Sequence, residues 1–365
     1  MRKRTVLLTG GSGVLGRALV EELVEDFDVI CVRHRKPVAD LRVAQVAGDL
    51  SRADLGLAPA DLDRLLRRVD VILHSAANTS WRASREEIFA TNVGGTTTML
   101  GLAERAQAPI YLMSTAFVAR ADQTGDEERF GGAAAYLASK IEAEQLLRDS
   151  GVPGVILRPS VVIGDSRDGR MSSFQGFSKA TAAVVQGTVP VVPADPGSLI
   201  DAVPQDLVAQ ATATLIRERV TAGEFWLTAG EQALVLCDLV ETCLDFAAEL
   251  GLTPHRPRLI PIEMVDRLLL PLLEDAIPPS LRRRFREYAE LLLLFQSASA
   301  MESSLAELGF AARSRRPELA MAFRRTLEYW ATRQGLLSMG CLSSSTSRAA
   351  ELAGRELAVV GELVA

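Results

Sequence analysis

At 365 residues, 48% of them hydrophobic and 24% charged, the chain can bury a sizeable core and is too apolar to be disordered. Its net charge of -6 and pI of about 5.4 supply no cationic field, which excludes the electrostatic route to nucleic acid. Leu268 to Leu273 and Leu291 to Phe295 fall far short of the ~18 apolar residues of a membrane span, and the scattered Cys31, Cys237, Cys243 and Cys341 and three dispersed histidines give no metal-ligand spacing.

The expectation is a soluble, cytoplasmic protein without a structural metal. In chain order, Thr5 to Thr9 is an apolar run leading into TGGSGVLG, after which Leu15, Ala18, Leu19, Leu23 and Val24 fall on one helical face. This reads as strand, glycine turn, helix. Gly10, Gly13 and Gly16 stand three apart, so the backbone can turn tightly, approach a pyrophosphate and pack helix on strand, while the helix N-terminus offers free N–H groups. Alone the triplet is weak, and a plain glycine-rich turn is the alternative; its place after the first strand favours a dinucleotide. Asp28 to Val32 is the second strand, ending at Arg33. An acidic residue there would hold the ribose 2′-hydroxyl of NAD, whereas Arg33, followed by His34, Arg35 and Lys36, suits the 2′-phosphate of NADP. A solvated basic loop is the alternative.

Val43 to Ala47 is the third strand, and Asp49 of Gly48-Asp49-Leu50 can accept from an adenine amino group. Val69 to Leu73 is the fourth, ending in His74-Ser75-Ala76-Ala77, where small side chains let a cofactor lie close. The helix around Thr91-Asn92-Val93-Gly94-Gly95-Thr96 has polar and glycine content that costs stability, an inconsistency that marks a site. Ile110 to Met113, the fifth strand, delivers Ser114 and Thr115. Tyr136-Leu137-Ala138-Ser139-Lys140 then opens a helix in which Tyr136 and Lys140, four apart, share a face. Val155 to Leu157 is the sixth strand.

Alternating strands and helices predict an α/β, doubly wound parallel sheet of Rossmann type over residues 1–165, with returning segments from about 200–250. Those segments are a helix from Pro204 to Ile216, a strand from Phe225 to Thr228 and a helix from Asp238 to Leu250. Residues 166–335 are expected to form a smaller, mainly helical substrate lobe, helical from Met264 to Trp330 with interruptions at Pro271, Pro278-Pro279 and Pro317. Residues 336–365 read as a tail without an assigned role.

A lysine one turn from a tyrosine has a logic for hydride chemistry: the ammonium favours the tyrosinate, so the phenol can exchange a proton with a reacting oxygen. A hydroxyl from Thr115 would stabilise the same oxygen. An ordinary surface helix is the alternative for the Tyr–Lys pair alone. With TGGSGVLG, HSAA, Asn-Val-Gly-Gly-Thr, Ser-Thr-Ala-Phe-Val, YLASK and LRPSVVIG in this order, the chain resembles the extended short-chain dehydrogenase/reductases. HSAANTSW, TNVGGT, Ile163 to Gly169, Phe174-Gln175-Gly176-Phe177, Asp201-Ala202-Val203-Pro204 and Leu327-Glu328-Tyr329-Trp330 are similar to the thioester reductase and fatty acyl-CoA reductase group, of male-sterility type.

The resemblance implies a catalytic triad of Thr115, Tyr136 and Lys140, with Thr115 preferred to Ser114 because it stands three before Val118. It implies an NADP(H) site made by Gly10, Ser12, Gly13, Val14, Leu15, Gly16, Arg33, Asp49, Leu50, Ser75, Ala76, Ala77, Asn92, Ser114, Tyr136, Lys140, Pro159, Val161 and Val162. The activity implied is NADPH-dependent reduction of an acyl thioester, on CoA or a carrier protein, to an aldehyde, with a second reduction to alcohol left open. Two alternatives stay open: a related oxidoreductase or epimerase acting on a hydroxysteroid, flavonol-type compound or nucleotide sugar, and a non-catalytic NADP sensor. Leu268 to Leu273 and Leu291 to Phe295 could shape an acyl channel or be plain helix packing. Arg282, Arg283, Arg284 and Arg286 could meet an acidic carrier or CoA phosphates, form a solvated helix face or, as the least favoured reading, touch a membrane surface. The oligomeric state is not legible.

Overall fold

Thr5–Thr9 buries every one of its residues, as a strand covered on both faces of a parallel sheet must. It is β1 of a computed structural model that describes residues 2–80, 82–121, 127–174, 176–195, 197–261, 264 and 294–337. The other strands of its sheet are β2 (Asp28–Arg33), β3 (Ala44–Ala47), β4 (Val71–His74), β5 (Ile110–Met113), β6 (Gly154–Pro159) and β7 (Gly223–Leu227). Seven strands lie in the order β7-β6-β5-β4-β1-β2-β3, with every neighbouring pair parallel. The chain winds outward from β1 through β2 and β3, then restarts at β4 on the other side. The crevice between β1 and β4 is therefore the switch point at which such sheets bind ligands.

The chain divides into two units. The first comprises Met1–Val162, Val203–Ala229 and Met301–Ser314 and contains the sheet. Helix Val14–Leu23 buries Leu15, Ala18, Leu19 and Leu23, four of the five residues expected on its apolar face, and packs against helix Gln205–Arg217. Leu62, Met99, Leu102, Ala143 and Leu147, from three further helices, join Leu7, Ile30, Ile72, Ile110 and Ile156 of the sheet in one apolar cluster. The second unit, Ile163–Ala202, Gly230–Ala300 and the chain from Arg315, has helices Phe177–Val185, Leu236–Glu249 and Arg316–Arg333. The Phe177 ring packs against those of Phe295 and Phe323, with centroids 6.4 and 5.9 Å away.

Several boundaries differ from expectation. The returning segment ends at Ala229, because helix Leu236–Glu249 places Leu239, Val240 and Cys243 around an apolar cavity shared with Phe177–Val185 of the second unit. Met301–Ser314 instead joins the sheet-bearing unit, where Ser304 N donates to Trp226 O at 2.8 Å and Trp226 N to Ser304 Oγ at 3.0 Å. Tyr136 does not open its helix, which runs Glu127–Asp149; burial of Ala133, Ala134 and Leu137 outweighs the propensity cost of Gly131-Gly132. Pro317 starts helix Arg316–Arg333 rather than interrupting it, since a missing N–H costs nothing in the first turn. Described residues of the second unit also form short strands: Val191–Pro193 with Arg258–Ile260, and Leu199–Ile200 with Leu234–Val235 and Gln296–Ser297. Leu268 to Leu273, Pro278-Pro279, the arginines from 282 to 286, Leu291 to 293 and residues 338–365 lie outside the described residues. No helix among the described residues is long and apolar enough to cross a membrane.

Candidate active site

The loops after β1 and β4 meet in van der Waals contact. Gly10 has φ +79°, and a Cβ there would lie 2.7 Å from Ala76 N, so only glycine lets the two strand ends approach this closely. Thr9 Oγ1 accepts from Ala76 N at 3.1 Å and lies 2.7 Å from His74 Nδ1, tying the loops together from below. Gly13 N closes the turn on Gly10 O at 2.9 Å. At Gly16 a Cβ would stand 2.0 Å from Gly10 O, so the helix can rest on the turn only without a side chain. Helix Val14–Leu23 has no side-chain cap and no acidic residue in its first turn, so its positive end is uncompensated beside the switch point.

These features fit a dinucleotide: a cradle that a Cβ would fill, and an uncapped helix start aimed at a pyrophosphate. A further observation supports the fit. Ser160 Oγ, just past β6, is buried without a hydrogen-bond partner, a costly state unless another polar group meets it. Pro159 and Val161 beside it are buried. Arg33, His34, Arg35 and Lys36 are all exposed at the end of β2, available to a phosphate. Asp49 Oδ1 accepts from Ser51 N and Oγ at 3.0 and 2.7 Å, which holds its carboxyl below the usual range. Leu50 O accepts from Thr98 Oγ1 at 3.2 Å.

The reaction centre is assembled from β5 and the Glu127–Asp149 helix. Thr115 stands just past β5, its hydroxyl accepting from Phe117 N at 3.4 Å and lying near enough to the Tyr136 phenol to act on its pKa. Lys140 Nζ, one turn on, donates to Met113 O at 2.8 Å. The three expected catalytic residues thus share one locus. Burial pushes the Tyr136 phenol up to about 12, against the lowering effect of the Thr115 hydroxyl, so desolvation rather than the lysine charge expected from spacing governs the phenol. Burial pushes Lys140 down to about 8, with the Glu144 carboxylate opposing, and pushes His74 down to about 3, with the Lys140 charge adding to the shift.

Two residues assigned to the cofactor have side chains engaged with the protein. Asn92, in the π-helical turn Ala90–Gly94, accepts from Asn78 N at 2.7 Å and donates to Asn78 O and Ser139 Oγ at 3.1 and 2.9 Å. Ser139 Oγ donates in turn to Tyr136 O at 2.6 Å, so Asn92 braces the tyrosine's helix. Ser114 Oγ donates to Glu144 Oε1 at 2.6 Å. Sequence reasoning missed Glu144, Ser139 and the buried His74–Thr9 contact; the four-residue spacing from Lys140 to Glu144 was the available signal.

Residues 33–212 match the male sterility protein family, an NAD-binding domain. A hybrid PKS-NRPS synthetase of Penicillium oxalicum is 32% identical over 180 residues, covering 44% of this chain and 4% of that protein, so the chain spans a small fraction of the relative's length. The terminal R domain of the myxalamid PKS-NRPS pathway has the same fold, with a TM-score of 0.69 at 23% identity over 93% of both chains. So has a thiolation-reductase di-domain from an archaeal non-ribosomal peptide synthetase, with a TM-score of 0.62 at 14% identity over 92% of this chain and 77% of that one.

Proposed function

We propose that the chain, which matches the male sterility protein family over residues 33–212, is an NAD(P)-dependent reductase of the extended short-chain dehydrogenase/reductase type that reduces acyl thioesters to aldehydes with NADPH. The observation that carries the reading is the placing of Thr115, just past β5, near enough to the Tyr136 phenol to act on its pKa, with Lys140 one turn along the same helix and bonded to Met113 O. Bound NADPH would supply the hydride. Gly10, Gly13 and Gly16 with the start of helix Val14–Leu23 would hold its pyrophosphate, Arg33 its 2′-phosphate, and Ser160 a polar group at its nicotinamide end.

The protein's own part is to hold and move a proton. A phenol pushed up to about 12 stays protonated at neutral pH, so Tyr136 is a donor to the thioester oxygen as negative charge develops on it. Thr115 would offer the second hydrogen bond to that oxygen, and Lys140, one turn from Tyr136, is held by Met113 O. Tyr136 would give its proton to the carbonyl oxygen as the acyl carbon is reduced; when the C–S bond breaks, that oxygen's proton would pass to the departing sulfur, leaving an aldehyde and a thiol. No cysteine nucleophile enters. Burial pushes the Cys31 and Cys243 thiols up to about 12, where thiolate is scarce.

A thiol carrier is the natural substrate partner on this reading, since a related fold occurs joined to a thiolation domain. The test is NADPH oxidation against acyl-CoA, acyl-carrier, ketone and sugar-nucleotide substrates, with products identified. Turnover of a thioester to aldehyde is expected. Turnover of a ketone or sugar nucleotide with every thioester inert would sink the proposal. One NADPH consumed per thioester gives the aldehyde, two the alcohol.

A further inference from the structure

One turn beyond Lys140, on the same helical face, Glu144 carries a carboxylate whose side chain is only 3% exposed. Arg158 at the end of β6 donates to it through Nε at 2.9 Å and Nη2 at 2.6 Å, Arg148 at 2.9 Å, and Ser114 from the end of β5 at 2.6 Å. Glu224 of β7 pairs with both arginines at 2.6 and 2.8 Å, and the Arg158 guanidinium lies 4.5 Å from the centre of the Trp226 ring. Two carboxylates balance two guanidiniums. This cluster joins three strand ends to the helix that bears Tyr136 and Lys140. Fold stability alone does not account for it, because a buried ion pair gains little over apolar packing of the same volume.

Among the described residues, the titratable groups facing Lys140 are few. From β4 comes His74; from its own helix come Tyr136 and Glu144; from β5 come the Met113 carbonyl and the hydroxyls of Ser114 and Thr115; Arg158 and Glu224 stand behind Glu144. His74, near 3, and Tyr136, near 12, stay uncharged around neutrality, so Glu144 is the anion that offsets the desolvation of the lysine.

We propose that Glu144 is a positioning residue for Lys140: buried one turn along the same helical face and anchored by Ser114 and Arg158, its carboxylate keeps the buried ammonium charged while Met113 O holds it. The inference rests on the assignment of Lys140 to the reaction centre made above. Its test uses no substrate, so a failure of thioester reduction leaves it standing.

Lys3, Lys36, Lys140 and Lys179 are the only lysines in the sequence, and all but Lys140 are exposed. The titration of each can therefore be followed by NMR in full-length protein labelled at lysine Cε, with the Lys140 signal assigned by its loss in Lys140→Arg. Glu144→Gln keeps the shape and removes the charge, and is expected to lower the Lys140 midpoint by on the order of one pH unit. Glu144→Asp, which keeps the charge, restores most of it. Arg148→Gln, at the half-exposed rim, leaves Glu144 its bonds to Arg158 and Ser114 and removes a cation that competes for it; it should raise the midpoint by roughly a few tenths of a unit. A purely structural Glu144 would lower the unfolding midpoint while leaving the lysine titration unmoved. A Lys140 midpoint unchanged in Glu144→Gln overturns the proposal, and should that variant not fold, an unchanged midpoint in Arg148→Gln does so.

Discussion

Lowering the pH from 7 to 5 should cost this protein about 2 kcal/mol through one side chain, His74. It is 2% exposed at the end of β4, with Thr9 Oγ1 2.7 Å from its Nδ1 and the Lys140 charge nearby. Burial, and then that charge, push it from 6.5 down to about 3. The unfolded chain takes up the proton near 6.5 while the folded one refuses it, so the contribution is present above 6.5 and is lost as pH falls towards 3. Between pH 7 and 5 the linkage integral is about 2 kcal/mol, at about 1.36 kcal/mol per pH unit once below the unfolded value. The carboxyls held low by their partners, Asp49, Asp165 and Glu224 among them, lose stability mainly at lower pH, as the fall passes their ordinary values of 3.8 to 4.5. Urea unfolding at pH 7, 6 and 5 measures the slope, and His74→Asn, polar but without a proton to take, should flatten it to under about 0.5 kcal/mol over the same range. Parallel slopes for the two proteins would refute the reasoning, whatever their absolute stabilities.

Tyr136→Phe removes the proton donor and is expected to slow thioester reduction by about 10²- to 10⁴-fold, while NADPH affinity, read by cofactor fluorescence, stays within a few-fold. Unchanged turnover would remove the tyrosine from its assigned role. Gly16→Ala places a methyl 2.0 Å from Gly10 O, so the glycine turn must shift; cofactor affinity should fall at least about tenfold, with any folded protein showing a displaced turn. Arg33→Asp should weaken NADPH relative to NADH by roughly tenfold or more, at about 1.5 to 3 kcal/mol for a charge-assisted bond. Equal preferences before and after would end the 2′-phosphate assignment.

Much of this architecture was legible because it is written locally. The run Thr5 to Thr9, the glycine spacing and the apolar face of the first helix each name their own conformation, and the structure adds only the reason: the Cβ positions at Gly10 and Gly16 are taken by backbone. The misreadings arose where tertiary burial outweighed local preference. The helix expected to open at Tyr136 instead runs Glu127–Asp149, through Gly131-Gly132, because the alanines beyond them are packed. Pro317 reads as an interruption, yet it occupies the one turn that lacks nothing by having no N–H. Nothing local singles out Glu144, and only the convergence of β5, β6 and β7 makes it a buried carboxylate.

The phenol is the sharpest case, because spacing puts Tyr136 and Lys140 on one helical face without telling whether charge or desolvation governs the phenol. A lysine four residues away lowers a tyrosine's pKa only if its charge outweighs desolvation, and here the ammonium is itself desolvated, engaged with Met113 O and pushed down to about 8. Burial then dominates, and the phenol rises to about 12. For a group that must abstract a proton from an alcohol this would be a handicap. For a reductase it is the useful direction, since the acid must still hold its proton when the oxyanion forms. The same burial that keeps Tyr136 protonated at neutral pH also desolvates Lys140, where the Glu144 carboxylate one turn on opposes the shift.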